Sequence, residues 1–264
     1  FSIAYNPDES QMASTSADGT VRIWDLATGK CLHILAHEHW VIRTLFSPDG
    51  RQLIVSGMSS MIYVWDTMSG ELIKTLSGHL DWVWSIDTST DGNTLISAGE
   101  DRTIRVWDLR TGVCNTVFHA HQDRIWSISL APDGRQIVSG SEDRTIRIWD
   151  IPQGKCVKTI SGYSNWIKSI AFVPQRDWLA SCHRDGGIRL WSWQNLTCIH
   201  ILSGHTDAVQ TIALSPDGRY LASSSLDRTI RIWDLQELTC LQTILQKRGS
   251  ANDAKLGKFC NRLA

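Results

Sequence analysis

Serine, histidine and aspartate recur along this chain at fixed intervals, and those three side chains can build a nucleophile, its base and the group that orients the base. The sets are His79, Ser97 and Asp101; His121, Ser139 and Asp143; and His205, Ser223 and Asp227. Serine follows histidine by 18 residues and aspartate follows it by 22 in every set. A tryptophan closes each one: Trp107, Trp149 and Trp233. A hydrolase needs one triad on one exposed site, so a set repeated at multiples of 42 residues reads as structure rather than catalysis. The chain also lacks a Gly-x-Ser-x-Gly elbow and a Gly-x-x-x-x-Gly-Lys-Ser/Thr phosphate loop. The close histidine pairs His37/His39 and His119/His121 have no Cys-x-x-Cys beside them, so neither a metal nor another cofactor is expected.

The elements that must position these residues follow from the same period. Trp-Asp closes an alternating strand at Trp24, Trp65, Trp107, Trp149 and Trp233, and Trp191-Ser192 is a variant. The spacing is 41 residues once and 42 thereafter. Within one copy, Ile125–Leu130, Gln136–Gly140, Thr145–Trp149 and Lys155–Ile160 are short runs separated by Pro-Asp-Gly, Glu-Asp-Arg and Pro-Gln-Gly turns. Apolar residues fall on every second position, which predicts four antiparallel strands and excludes helix. A single sheet of this kind cannot bury both faces, and copies stacked side by side can.

Composition narrows the function. Lys and Arg number 26 against 27 Asp and Glu, with no basic stripe, so nucleic acid and membrane surfaces are not expected partners. Five of the seven cysteines, Cys31, Cys114, Cys156, Cys198 and Cys240, stand seven residues after the repeat tryptophan. Equivalent positions in stacked sheets lie roughly 10 Å apart, too far for disulfides, so buried thiols and a reducing, cytoplasmic setting are expected.

The repeat resembles the WD40 family of β-propellers. The family's Gly-His stands at Gly78-His79 and Gly204-His205, with Ala36-His37 and Ala120-His121 as variants, and Ser-Pro-Asp-Gly turns stand at Ser47 to Gly50 and Ser215 to Gly218. The resemblance implies an all-β fold of six four-stranded blades over residues 1–245, the first truncated, with a non-repeat tail over 246–264. Phe1 begins in mid-repeat, so a further blade upstream, and an open gap or a strained six-blade ring, are expected. The resemblance also implies a hydrogen-bonded tetrad in each blade: His79, Ser97, Asp101 and Trp107; His121, Ser139, Asp143 and Trp149; His205, Ser223, Asp227 and Trp233. Val55 and Ser59 break it in the second copy, and Tyr163 replaces its histidine in the fifth. Leu196 and Leu238 stand where earlier copies have Gly29, Gly70, Gly112 and Gly154, which predicts a different turn there, since leucine resists positive φ.

Of 13 tryptophans, only six belong to the repeat pair. Trp40, Trp82 and Trp166 follow the histidine position by three residues, and Trp84 and Trp126 follow it by five. Arg124, Lys168 and Gln210 take these positions in other copies. In the resembled family they sit on the top face, as do Glu100, Glu142 and Arg184 beside the tetrad aspartate. Large amphipathic aromatics with cations suit a protein or peptide partner. Trp82, Trp84, Trp126, Trp166, Arg124 and Lys168 are therefore expected to form an exposed cluster, and Arg105, Arg147, Arg189 and Arg231 a solvated strand face. The expected function is a non-catalytic scaffold. The alternative is a sensor or autoinhibitory region of a large bacterial signalling protein, with other domains of the same chain as partners. A propeller hydrolase using Asp87 with Ser85, Ser127, Ser129 or Ser169 is the least supported class, because no matched acid and base accompany them.

Overall fold

Period-two alternation becomes six four-stranded antiparallel sheets, each with its strands in sequence order. The computed structural model describes residues 1–161 and 165–245. The strands of the third sheet are Val83–Thr88, Thr94–Gly99, Thr103–Asp108 and Cys114–His119. Among the described residues there is no helix. This is the blade architecture of an all-β propeller. The first blade also has four strands, its first strand being the short segment Ile3–Tyr5. Tyr163 and the tail from 246 onward lie outside the described residues.

The chain forms two compact units. The first holds residues 1–125 with 132–135 and 151–155, and the second holds 126–131, 136–150 and the residues from 156. Inside each unit the core lies between successive blades. Ile54, Ile62, Val64 and Leu76 of the second blade meet Val83, Ile86, Leu95 and Trp107 of the third. Val138, Ile146 and Ile148 meet Ile167, Ile170, Leu179 and Trp191 in the same way. Fourth-strand side chains add polar clamps onto the next blade's turn. Lys74 Nζ donates to the carbonyls of Leu109 and Arg110 at 2.8 and 3.0 Å, and Lys158 Nζ donates to Gln194 O at 3.3 Å.

The aspartate of Trp-Asp caps the turn that follows it. Asp66 Oδ1 accepts from the Met68 and Ser69 amides, and Asp108 Oδ1 accepts from those of Arg110 and Thr111. The fifth blade has Ser192 at this position, and Asn195 Oδ1 accepts from the Thr197 amide as Thr111 Oγ1 does from that of Val113 in the third blade.

Three expectations change. The repeat cysteines are not buried: Cys31, Cys198 and Cys240 are exposed, and Cys114 and Cys156 are half-buried. They open the fourth strand, which is an edge of its sheet, and each Sγ donates to the carbonyl two residues on, as Cys31 does to His33. The turn at Leu196 and Leu238 is not different. Both residues adopt φ of 56°, and Leu196 N bonds Ser192 O at 2.9 Å as Gly70 N bonds Asp66 O. Each leucine packs against a buried cluster, and burying part of a leucine offsets a left-handed backbone that costs about 1–2 kcal/mol. The arginines two before each tryptophan are half-buried rather than solvated. Arg189 makes two bonds to Asp185, Arg147 pairs with Asp143, and a Cβ added at Gly78 would meet Arg105 Nη1 at 2.7 Å.

Candidate functional site

Two groups of hydrogen-bonded side chains lie toward the end of the blades where the first strand begins, one buried and one partly exposed. They differ in what they can do.

The deeper group is the tetrad. His79 Nδ1 lies 2.8 Å from Asp101 Oδ2, His79 Nε2 lies 2.7 Å from Ser97 Oγ, and Trp107 Nε1 lies 2.8 Å from the same Oγ. The proton order follows from donor inventory. A carboxylate only accepts, so Nδ1 carries the hydrogen. An indole only donates, so Ser97 accepts from Trp107 and gives its own hydrogen to Nε2. Asp101 also takes the Leu80 and Thr103 amides. Burial alone would raise its pKa, but His79 and these amides hold the carboxyl well below the usual range. His205, Ser223, Asp227 and Trp233 repeat the geometry, and Asp227 is lowered to about 2 against the effect of burial, by bonds from Thr229, His205 and Thr206. In the fourth blade Trp149 Nε1 donates to Ser139 Oγ at 2.9 Å, and Asp143 on the turn of the same hairpin is half-buried. Serine here is bonded on both sides and shut from solvent, so it is a tie between strands and loop and not an accessible nucleophile. Ser127 is occupied likewise, by the backbone of Ile170.

In the fifth blade a histidine that spacing missed enters the network. His183, on the second strand, places Nε2 2.9 Å from Ser181 Oγ, which accepts from Trp191 Nε1 at 2.8 Å. The only sequence signal was a histidine two residues after the repeat serine. Asp185 turns instead to Arg189.

The second blade is the defective one. Val55 removes the hydroxyl, and His37 Nε2 and Trp65 Nε1 are buried with no hydrogen-bond partner. Burial depresses His37 to about 4. Restoring the hydroxyl with Val55→Thr, at nearly constant volume, is expected to stabilise the protein by about 1 kcal/mol. A urea-denaturation midpoint that falls instead would show that the orphaned groups are not within reach of position 55.

The shallower group is aromatic. In the first unit, half-buried Trp84 donates Nε1 to Glu100 Oε2 at 2.8 Å, exposed Trp82 sits edge-on to Trp84 at 5.7 Å, and Arg124 pairs with Glu100 at 3.3 Å. Trp40 is exposed and stacks on Phe1. In the second unit, Trp126 donates Nε1 to Glu142 at 3.0 Å. Lys168 Nζ lies 3.2 Å from the Trp126 ring centre and 5.2 Å from that of Trp166, and Arg184 stacks 4.7 Å from Trp166. Gln210 is half-buried on the first strand of the sixth blade. Neither Trp84 nor Trp126 is fully buried. Arg124 is held by a carboxylate and Lys168 by an indole face. Glu100 and Glu142 act as anchors for the tryptophan edges, a role marked in the sequence by a 16-residue spacing that repeats at Trp84–Glu100 and Trp126–Glu142.

Six stretches, residues 1–25, 29–66, 70–108, 112–150, 154–192 and 196–234, match the family described as WD domain, G-beta repeat. The chain belongs to the WD40 family. Its relatives include periodic tryptophan protein 2 of Arabidopsis thaliana, 38% identical over 30% of this chain and 9% of that protein. The nuclear distribution protein nudF of Emericella nidulans is 38% identical over 27% of this chain and 17% of its own length. The COMPASS component SWD3 of Saccharomyces cerevisiae is 35% identical over 29% and 24%. The chain thus spans under a quarter of the length of each of these relatives. All three are eukaryotic WD proteins, and a likeness to bacterial signalling proteins gains nothing from them. WD40 domains are generally protein-interaction scaffolds.

Proposed function

We propose that this chain is a non-catalytic platform that binds a protein or peptide partner through the tryptophans at the loop ends of its blades. The observation that carries the reading is the pairing of Trp84 with Glu100 and of Trp126 with Glu142. Each bond fixes an indole in one orientation while leaving part of the ring in contact with solvent. Rigid, half-exposed aromatic rings lose little side-chain entropy on binding, which is what interface hot spots require. Beside Trp84, Trp82 is 39% exposed, and in the second unit Trp166 is braced by Lys168 and Arg184. The tetrad of the third blade serves this surface by holding the loop that carries Trp82 and leads into the strand of Trp84.

Trp82→Ala is expected to weaken partner binding by roughly 1–3 kcal/mol while changing folding stability by about 0.5 kcal/mol or less. Trp84→Ala would cost stability as well, because its indole is bonded. The test compares proteins retained from a lysate by the wild type and by a Trp82→Ala, Trp166→Ala variant, with urea curves for both. An unchanged set of retained proteins at unchanged stability would overturn the proposal.

A further inference from the structure

The fifth blade reverses the charge at one position of the repeat. The residue before the repeat aspartate is Glu100 in the third blade and Glu142 in the fourth, but Arg184 in the fifth. Glu100 is satisfied from two sides: Trp84 of its own blade donates Nε1 to it at 2.8 Å, and Arg124, at the start of the next, pairs with it at 3.3 Å. Around Arg184 the corresponding residues are Lys168 and Ala208. Neither an ammonium nor a methyl group accepts a hydrogen bond. Asp185, the next acid in sequence, is held by Arg189 through bonds of 3.2 and 2.7 Å. Arg184 is exposed, stacks 4.7 Å from the Trp166 ring centre, and has no hydrogen bond or ion pair among the described residues.

We propose that Arg184 binds a carboxylate of the partner, the side chain of an aspartate or glutamate on a peptide. The inference rests on the reading of the tryptophans as a partner surface and gives that partner its chemistry: it is acidic. Three observations carry it. The donors of a guanidinium lie in its own plane, in a fork that matches the two oxygens of a carboxylate, and those of Arg184 are engaged by no acceptor among the described residues, so an incoming anion breaks no internal bond. Stacking on Trp166 restricts the arginine before the partner arrives, which lowers the entropy lost on binding. Lys168 Nζ lies 5.2 Å from the centre of the same ring, so two cations bear on Trp166, whereas at Glu100 in the first unit the Arg124 charge is matched by a carboxylate. Trp166 is half-buried, and the part of its ring left in contact with solvent gives the peptide an apolar surface beside the charge. All of these groups except Glu100 and Arg124 lie in the second unit.

The probe is a library of random peptides displayed on phage, selected at pH 7 on the wild type, on Arg184→Leu and on Arg110→Leu. Leucine is a residue this position accepts, since the sixth blade carries Leu226 there. Arg110→Leu removes the same charge from the turn between the third and fourth strands of the third blade, where the side chain is 82% exposed, and controls for net charge. Peptides retained by the wild type and by Arg110→Leu are expected to be enriched about three- to fivefold in aspartate and glutamate over the starting library, the range for an exposed charge pair. Those retained by Arg184→Leu should show the library share, at an unchanged urea midpoint. Retention of no peptide by the wild type would overturn the tryptophan surface and this inference with it. Retained peptides without acidic enrichment, or an enrichment that survives Arg184→Leu, would overturn this inference and leave the surface standing.

Discussion

Replacing Trp107 with alanine is expected to cost about 3–5 kcal/mol, the range for emptying a large aromatic site in a packed core. Trp107 is 1% exposed and belongs to the cluster joining the second and third blades, with Ile54, Ile62, Val64 and Leu95 around it. The substitution opens a cavity on that contact and removes the donor to Ser97. Trp65→Ala should cost less. Trp65 is half-buried and its Nε1 has no partner to lose. Trp107→Phe separates the two contributions, since it keeps most of the volume and loses the bond, and about 1 kcal/mol is expected for it. Urea denaturation of the three variants is the measurement. Equal losses at Trp65 and Trp107 would mean that the hydrogen-bonded tetrad adds nothing to the packing.

What the sequence made legible was whatever a local pattern decides. Alternation of apolar residues fixes which side of a strand is buried, so Thr103–Asp108 and its equivalents could be placed without coordinates. The tetrad in the third blade was implied by the family resemblance, and the register gives its physical reason: Ser97 pairs with Arg105 and Leu95 with Trp107, so Trp107 is a diagonal neighbour of Ser97 on the same face of the sheet. What stayed hidden depends on neighbours distant in sequence. Cys31 and Cys198 lie opposite their repeat tryptophans, and only the fact that the fourth strand is the outer edge of the sheet exposes them. Leu196 and Leu238 accept a left-handed backbone because of the clusters they touch. His183 joins Ser181 because it lies on a strand where alternation places residues 181 and 183 on one face. The proposed surface was legible as residue types but not as bonds. Spacing placed Arg124 and Lys168 among the aromatics, but their partners, Glu100 and Trp126, are supplied by the preceding blades.

Acidification is expected to weaken the fold in two steps, and His183 sets the first. Its imidazole is 1% exposed, and burial, with the nearby Arg189 charge, lowers its pKa from 6.5 to about 4. Above pH 6.5 the ring is neutral in both folded and unfolded chains, and its full contribution is present. As pH falls from 6.5 toward 4 the unfolded chain takes up a proton that the folded chain refuses, so stability declines. Below about 4 the folded ring is protonated as well and the decline from this group ends. The gap between the two values corresponds to a loss on the order of 3 kcal/mol. His37, lowered to about 4 by burial, acts in the same window and adds less because it reaches solvent more. The second step belongs to the tetrad carboxylates. Asp101 and Asp227 are depressed, so their contribution is present above pH 4 and is lost as pH falls toward 2. Urea midpoints measured from pH 8 to pH 3 should therefore fall first between 6.5 and 4, then again below 4. His183→Gln keeps an amide within reach of Ser181 and removes the titrating ring, so the first slope should flatten while the second remains. A His183→Gln variant with the wild-type slope between pH 6.5 and 4 would show that the buried histidine is not what the acid attacks.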